Sequence, residues 1–341
     1  PSSIIEHKHL VDTLHALGVD IQRIFTPEHG FRGDADAGEA LDNSQDQRTG
    51  IAIISLYGKQ KKPTAESLKD IDMVVFDIQD VGTRCYTYLS TLHYVMEACA
   101  EQKKPLMVLD RPNPNGYYID GPVLDTAFHS FVGLHQVPLV YGMTIGEYAQ
   151  MLNGEHWLAN GINCDLQVIS LKDYTHQSHY TLPVKPSPNL NSQEAIYLYP
   201  SLCLFEGTAI SMGRGTMTPF RVLGHPKLDS IFKFSFTPEN IPGMSKNPPY
   251  EGAPCYGIDL TPLNPNYLSN QKELNLHWLM DLYKQYPDQA HFFNSFFKNL
   301  AGTDQLQKQI IAGLSEKEIR ASWQPALTKF KKTRSKYLLY N

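Results

Sequence analysis

The fold is indicated most clearly by residues 71–116, which read IDMVVFDIQDVGTRCYTYLSTLHYVMEACAEQKKPLMVLDRPNPNG. Residues 73–78 form a short apolar run, as is typical of a parallel strand buried on both faces. Apolar side chains then recur at three- and four-residue intervals over Tyr88–Cys99, which predicts a helix. Residues 106–109 predict a second buried strand. The stretch is therefore one strand, helix, strand unit of a parallel sheet.

Polar and charged residues follow both predicted strands. Asp77 and Asp80 end the first strand, and Asp110, Arg111 and Asn113 follow the second. Ligands of an open parallel sheet bind at the carboxyl ends of its strands. The sequence therefore predicts a functional site at this edge.

The same alternation continues on both sides of this unit. Further strands are predicted at residues 19–25, 51–56 and 164–171. Thr144 and Glu147 predict a capping box at the start of a helix, and the last predicted helix covers residues 315–321. Strands alternating with helices predict a Rossmann-like α/β domain at residues 1–180, with a mostly parallel sheet and helices on both faces. The Pro-rich stretch 172–195 marks a domain junction. We expect residues 181–341 to form a second domain that becomes helical towards its C-terminus.

Composition excludes several classes of protein. The 341 residues carry a net charge of −5, and no apolar run approaches the length of a membrane span, so neither nucleic-acid binding nor membrane insertion is expected. The five cysteines form no CxxC pair, and the nucleotide motifs GxGxxG and GxxxxGK[ST] are absent. No metal or cofactor is predicted.

Two partial motifs point to other chemistry. Residues 34–38 resemble the start of a calcium loop, but Gln45 stands where that loop needs Glu, so calcium is rejected. Residues 209–213 read AISMG, one residue short of a nucleophile elbow. An acyl or amide hydrolase using Ser211 therefore stays an alternative.

Carboxylates and arginines are the better candidates for function. Glu28 lies between Pro27 and His29 at the end of a predicted strand, where a surface Glu has no packing task. Glu206 lies in the apolar segment LFEGT, where burial would raise its pKa as a general acid requires, although capping of a turn explains it equally well. Four arginines lie in loops beside Gly or Pro, and at least one is expected to bind an anionic group: Arg32, Arg84, Arg111 and Arg214. Asp77 could instead bind loop amides, and Asp110 could form an ion pair with Arg111.

Longer motifs resemble the bacterial DUF1343 family. They are TPEHGFRGDADAGE at 26–39, FDIQDVGTRCYTYLSTLHYVMEAC at 76–99, LDRPNPNG at 109–116, YPSLCLFEGT at 199–208 and SMGRGT at 211–216. Characterised members of this family are exo-acting β-N-acetylmuramidases of the NamZ type. The resemblance implies a glycoside hydrolase that releases β-1,4-linked N-acetylmuramic acid from the non-reducing end of peptidoglycan fragments, its saccharide partner. It also implies that the site lies in a cleft between the Rossmann-like domain and a smaller α/β domain, residues 181–341, which closes the cleft. A periplasmic or extracellular location is implied as well. Members usually have a strand of the type GLVTN before the segment that starts here at Pro1.

The family's central acidic residue corresponds to Glu28, which we expect to be the general acid. Glycoside hydrolysis also needs a second carboxylate, for which Glu206 is the candidate, or the substrate's own acetamido group. The lactyl carboxylate of muramic acid gives the loop arginines a target. The candidate substrate-binding residues are His29, Arg32, Asp77, Asp80, Arg84, Tyr86, Asp110, Arg111, Asn113, Asn189 and Arg214. An inactive protein that binds muropeptides or sugars on the same fold stays a further alternative.

Overall fold

The structure, a computed structural model, describes residues 4–5, 8–32, 38–39 and 42–341. Its strands are β1 (Ile4–Ile5), β2 (Lys8–His9), β3 (Arg23–Thr26), β4 (Ser44–Gln45), β5 (Ala52–Ser55), β6 (Val74–Phe76), β7 (Leu106–Leu109), β8 (Asp120–Val123), β9 (Pro138–Val140), β10 (Leu166–Ile169), β11 (Val222–His225), β12 (Phe234–Phe236) and β13 (Cys255–Asp259). Its α-helices are α1 (Leu10–Ala16), α2 (Ala65–Leu68), α3 (Tyr88–Gln102), α4 (Ile145–Gly154), α5 (Gln193–Leu202), α6 (Pro265–Ser269), α7 (His277–Gln285), α8 (Phe297–Ala301), α9 (Gln305–Ile311) and α10 (Glu316–Arg334). No helix of these described ranges is long and apolar enough to cross a membrane.

The predicted strand, helix, strand unit is present as β6, α3 and β7. β7 is the central strand of a three-stranded parallel sheet in which Val74 and Leu166 both pair with Leu106. The apolar face of α3 packs on this sheet, and Leu92 and Met96 are fully buried there. Burial of each such side chain stabilises the fold by about 1.5–3 kcal/mol.

A second small sheet holds β3, β5 and β4. β3 and β5 are parallel, with Thr26 opposite Ser55, and β4 pairs antiparallel with β5. The predicted parallel strands are therefore found, but in the described residues they lie in two three-stranded sheets and not in one hydrogen-bonded sheet. What the structure shows is a mixed α/β fold with several small sheets.

Helix α4 begins with the predicted capping box. The Thr144 hydroxyl accepts a hydrogen bond from the Glu147 N–H at 3.2 Å, and the Glu147 carboxylate accepts one from the Thr144 N–H at 2.9 Å. The reciprocal bonds satisfy two N–H groups that the first turn of a helix leaves without partners. The helix covers β7 and β10 and completes the first core.

The C-terminal half builds a second core. An antiparallel sheet in the order β11, β13, β12 packs with α5 and α7–α9 around buried aromatic side chains. Phe205, Phe292 and Phe297 are all fully buried in it. The aromatic cluster fixes the segment 203–207, which follows α5 and carries Glu206.

The C-terminus returns to the first core. Helix α10, predicted to end near residue 321, continues to Arg334, and Phe330 is buried against the N-terminal elements. Beyond the helix, the Leu339 N–H donates to Glu147 at 2.8 Å, and the Tyr340 hydroxyl donates to Asp110 at 2.6 Å. The last residues therefore pack on the part of the chain predicted as the first domain. The domain boundary near residue 180 stays a prediction.

Candidate active site

A cavity of about 590 Å³ lies between loops of the two halves of the chain. The N-terminal half contributes the loops that follow β3, β5 and β6, and the C-terminal half contributes residues 187–220 and 244–249. Its size is ordinary for a ligand pocket. Charged side chains in its lining are Glu28, Glu39, Glu206, Arg214 and Lys246.

Glu28 is held in place from two other segments. Its Oε1 accepts a hydrogen bond from the Gly38 N–H at 2.9 Å, and its Oε2 accepts one from the Thr87 hydroxyl at 2.8 Å. Its backbone carbonyl accepts a further bond from the Tyr88 hydroxyl at 3.3 Å. The carboxyl group is therefore fixed in orientation at the cavity wall.

The tight turn after β3 explains how Glu28 reaches the cavity. His29 and Gly30 both have φ of 71°, and the Gly30 N–H donates to the Pro27 carbonyl at 3.2 Å. A left-handed conformation costs a non-glycine residue on the order of 1 kcal/mol, so strain at His29 is accepted where the chain must turn sharply. His29 is buried and lines the cavity beside Glu28.

Glu206 and Arg214 form an ion pair in the lining of the same cavity. The Arg214 Nη2 donates to the Glu206 Oε2 at 2.9 Å, and the guanidinium lies 5.3 Å from the centre of the Phe220 ring. Burial lowers the pKa of Arg214, but the charge of Glu206 and the hydrogen bond to it outweigh burial, so the pKa is raised overall. Arg214 therefore stays charged.

Two other predicted residues line the cavity while binding backbone groups. The Tyr86 hydroxyl donates to the Pro186 carbonyl at 2.7 Å. The Asn189 side chain donates to the Met244 carbonyl at 2.7 Å, and its buried Oδ1 has no hydrogen-bond partner among the described residues. Both residues fix loops of the cavity wall.

The structure does not bring the other three arginines to the cavity. Arg84 is buried and donates to the carbonyls of Pro122, Val137 and Leu300 at 2.8–2.9 Å. Arg111 pairs with Asp77 at 2.5 Å. Arg32 pairs with Asp12 at 2.9 Å and with Asp46 at 3.0 Å. These arginines are occupied in structural contacts because each lies beside a carboxylate or several carbonyl groups.

The predicted polar residues after β6 and β7 are also placed outside the cavity. Asp110 binds the start of α4, accepting from the Thr144 hydroxyl at 2.7 Å and the Gly146 N–H at 2.8 Å, and burial raises its pKa. Asn113 donates to the Met143 carbonyl at 2.8 Å. Asp80 accepts from the Gly82 N–H at 2.6 Å and from the Tyr141 hydroxyl, and burial raises its pKa to about 6. These polar groups hold loops together outside the cavity lining.

Sequence reasoning missed several lining residues, among them Tyr57, Thr87, Tyr199 and Phe220. Tyr57 and Thr87 are uncharged and belong to no catalytic motif. Only their position after predicted strands could have indicated them.

The Ser211 of the alternative hydrolase hypothesis is buried, and its hydroxyl accepts from the Gly213 N–H at 3.3 Å. It does not line the cavity. The rejected calcium segment 34–38 lies outside the described residues except for Gly38.

A cavity lined by two carboxylates, Glu28 and Glu206, is the kind of arrangement found in glycosidases. The family described as "Exo-beta-N-acetylmuramidase NamZ, N-terminal" matches residues 1–194, and its C-terminal counterpart matches residues 197–340. The chain therefore belongs to the NamZ exo-β-N-acetylmuramidase family, as its motifs predicted.

Known proteins similar to this chain fall in the same family. One is "Peptidoglycan beta-N-acetylmuramidase NamZ" of Bacillus subtilis (strain 168), which is 40% identical over 337 residues, covering 94% of this chain and 80% of that protein. Two crystal structures of DUF1343 family proteins from Bacteroides fragilis NCTC 9343 are also similar. The first has a TM-score of 0.91 and 46% identity over 99% of this chain and 91% of that one. The second has a TM-score of 0.83 and 29% identity over 100% and 92%.

Proposed function

We propose that this protein is an exo-β-N-acetylmuramidase that hydrolyses β-1,4-linked N-acetylmuramic acid from the non-reducing end of peptidoglycan fragments. The observation that carries the proposal is the cavity lined by both Glu28 and the Glu206–Arg214 pair, in a chain of the NamZ family. The similar Bacillus subtilis protein is named for the same activity. The proposed place of action is the periplasm or the extracellular space, where peptidoglycan lies.

Glu28 is proposed as the general acid. The Gly38 N–H can only donate, so the oxygen it binds, Oε1, acts as an acceptor in either charge state. The Thr87 hydroxyl on Oε2 can both donate and accept, so it tolerates a proton on that oxygen. Oε2 is therefore the atom that carries the proton to be passed to the glycosidic oxygen.

Glu206 is proposed as the second catalytic group. Its carboxylate lines the same cavity as Glu28 and accepts a hydrogen bond from the Arg214 guanidinium at 2.9 Å. An ionised carboxylate stabilises the positive charge that develops at the anomeric carbon, directly or by orienting the acetamido group as an internal nucleophile. Direct stabilisation and orientation of the acetamido group both use the Glu206–Arg214 ion pair.

Arg214 is proposed to bind the lactyl carboxylate. Of the four loop arginines it is the one that lines the cavity, and the other three are held in structural contacts elsewhere. A guanidinium that is already partly desolvated gains a stronger hydrogen bond to a carboxylate than an exposed one does. The lactyl group distinguishes muramic acid from N-acetylglucosamine, so Arg214 gives the site a basis for selecting its sugar.

The proposed architecture is a Rossmann-like α/β domain whose cleft is closed by a second, smaller α/β domain. This is supported by the site loops, since the loops after β3, β5 and β6 all leave the carboxyl ends of their strands and meet at the cavity. The second domain contributes Tyr199, Glu206 and Arg214 to the same cavity.

The test compares a chromogenic β-N-acetylmuraminide with the matching β-N-acetylglucosaminide. The proposal predicts turnover of the first and little turnover of the second. Binding of a muramic acid disaccharide with no release of product from either compound would instead indicate a sugar-binding protein. When Arg214→Ala is measured in the same assay, Arg111→Ala is its control, because Arg111 lies outside the cavity lining.

A further inference from the structure

Tyr57 and Glu28 occupy equivalent positions at the ends of two neighbouring strands. Thr26 in β3 pairs with Ser55 in β5, and the Leu56 N–H continues the ladder by donating to the Thr26 carbonyl at 2.8 Å. Glu28 and Tyr57 each lie two residues beyond this pair. Parallel strands that end in register deliver such residues to the same place at the sheet edge.

The surroundings of Tyr57 keep its hydroxyl neutral. Burial raises the pKa of Tyr57, and the negative charges of Glu28 and Glu206 and a hydrogen bond to Glu28 raise it further, while Arg214 only partly opposes them. The ring is fixed by Phe131, whose centre lies 6.0 Å away, and Lys61 lies over the Phe131 ring at 4.6 Å from its centre. A phenol in this setting is a donor and not a nucleophile, because a nucleophilic tyrosine must lose its proton.

We propose that Tyr57 is a positioning residue for Glu28, donating its hydroxyl hydrogen bond to that carboxyl group and fixing its orientation towards the substrate. The inference rests on the proposed function, in which Glu28 exchanges the proton. Tyr57 completes the set of donors formed by Gly38 and Thr87.

The role has a definite signature in the pH dependence of activity. A donor stabilises an ionised carboxylate more than a protonated one. Removal of the Tyr57 hydroxyl should therefore move the limb of the pH profile that Glu28 controls to higher pH. The other acidic, basic and histidine side chains of the lining stay in place in this variant, namely His29, Glu39, Glu206, Arg214 and Lys246.

The experiment measures kcat/KM against pH for the wild type and for Tyr57→Phe, which keeps the ring and removes the hydroxyl. We expect the Glu28 limb to move to higher pH and kcat to fall by roughly 10-fold with little change in KM. Tyr94→Phe is the matched control, because Tyr94 stacks on the same Phe131 with ring centres 6.3 Å apart but does not line the cavity. Superimposable profiles for the wild type and Tyr57→Phe would overturn the inference.

A second measurement separates this inference from the proposed function. Carboxyl ¹³C NMR of glutamate-labelled protein, with the Glu28 signal assigned through Glu28→Gln, follows the titration of Glu28 without any substrate. The midpoint should lie higher in Tyr57→Phe than in the wild type and be unchanged in Tyr94→Phe. An unchanged midpoint in Tyr57→Phe refutes the positioning role even if the protein is an active muramidase. A shifted midpoint in a protein without muramidase activity would retain the contact and reject the proposed reaction.

Discussion

Replacement of Glu28 by Gln removes the acidic group from the site and keeps the shape of the side chain nearly the same. The carbonyl oxygen of the introduced amide can still accept from the Gly38 N–H, which lies 2.9 Å from the present Oε1. The amide N–H₂ would face the Thr87 hydroxyl, now 2.8 Å from Oε2, and a hydroxyl can accept as well as donate. The variant should therefore fold normally, and its kinetics should report the missing acid.

The loss should depend on the leaving group. A general acid contributes about 10²- to 10⁴-fold in rate, which is about 3–5 kcal/mol of transition-state stabilisation. A sugar leaving group needs the proton, whereas nitrophenolate leaves without one. We expect Glu28→Gln to lose about 10³-fold in kcat/KM on a disaccharide and roughly 10-fold on a nitrophenyl N-acetylmuraminide.

The assay measures kcat/KM on both substrates, with unfolding temperature as the check on structure. Glu194→Gln, in the first turn of α5 and outside the cavity lining, is the control for the substitution itself and should match the wild type. Equal losses on the two substrates would contradict the acid role and assign Glu28 to charge stabilisation or nucleophilic attack.

The remaining predictions concern Arg214, Arg84 and Asp80. Arg214→Ala should reduce the preference for muraminide over glucosaminide by roughly 10- to 100-fold, the value of one charged hydrogen bond, and an unchanged ratio would remove Arg214 from lactyl recognition. Arg84→Ala should leave that ratio unchanged but lower the free energy of unfolding by several kcal/mol, about 1–3 for each of the three carbonyls left without a donor, as denaturant unfolding would measure. The pKa of Asp80 is raised to about 6 by burial, so folded Asp80 keeps a proton that the unfolded chain has lost, and wild-type stability should fall by on the order of 3 kcal/mol as pH rises from about 4 to 6. Asp80→Asn should lack this slope, and identical slopes in both proteins would refute the assignment.

Local pattern predicted the elements well where hydrophobic period and capping agree. The strand Leu106–Leu109 and the capping box at Thr144 are found as the sequence indicates. The predicted end of α10 was wrong, because Pro325 and the many polar residues of this segment argued against a longer helix. In the structure one face of the helix is buried along its length, through Ile319, Trp323, Leu327 and Phe330. This buried face could not be recognised from the sequence alone, because the residues that bury it come from other parts of the chain.

The candidate site was less accessible to sequence reasoning than the fold. Motif content placed Glu28 and Glu206 among the candidates, and both line the cavity. Charge alone could not separate Arg214 from Arg84, because a buried arginine bound to three carbonyls and one bound to a carboxylate look alike in a sequence. Tyr57 was missed because its role depends on the register of β3 against β5, a pairing between segments that are distant in the sequence.

The most direct test of the central claim uses two disaccharides that differ only in the order of their sugars. Purified protein is incubated with N-acetylmuramic acid β-1,4-linked to N-acetylglucosamine and, separately, with N-acetylglucosamine β-1,4-linked to N-acetylmuramic acid, and the free sugars are followed by mass spectrometry. An exo-β-N-acetylmuramidase releases N-acetylmuramic acid from the first compound and leaves the second intact. Cleavage of the second compound, or of neither, would contradict the proposed function.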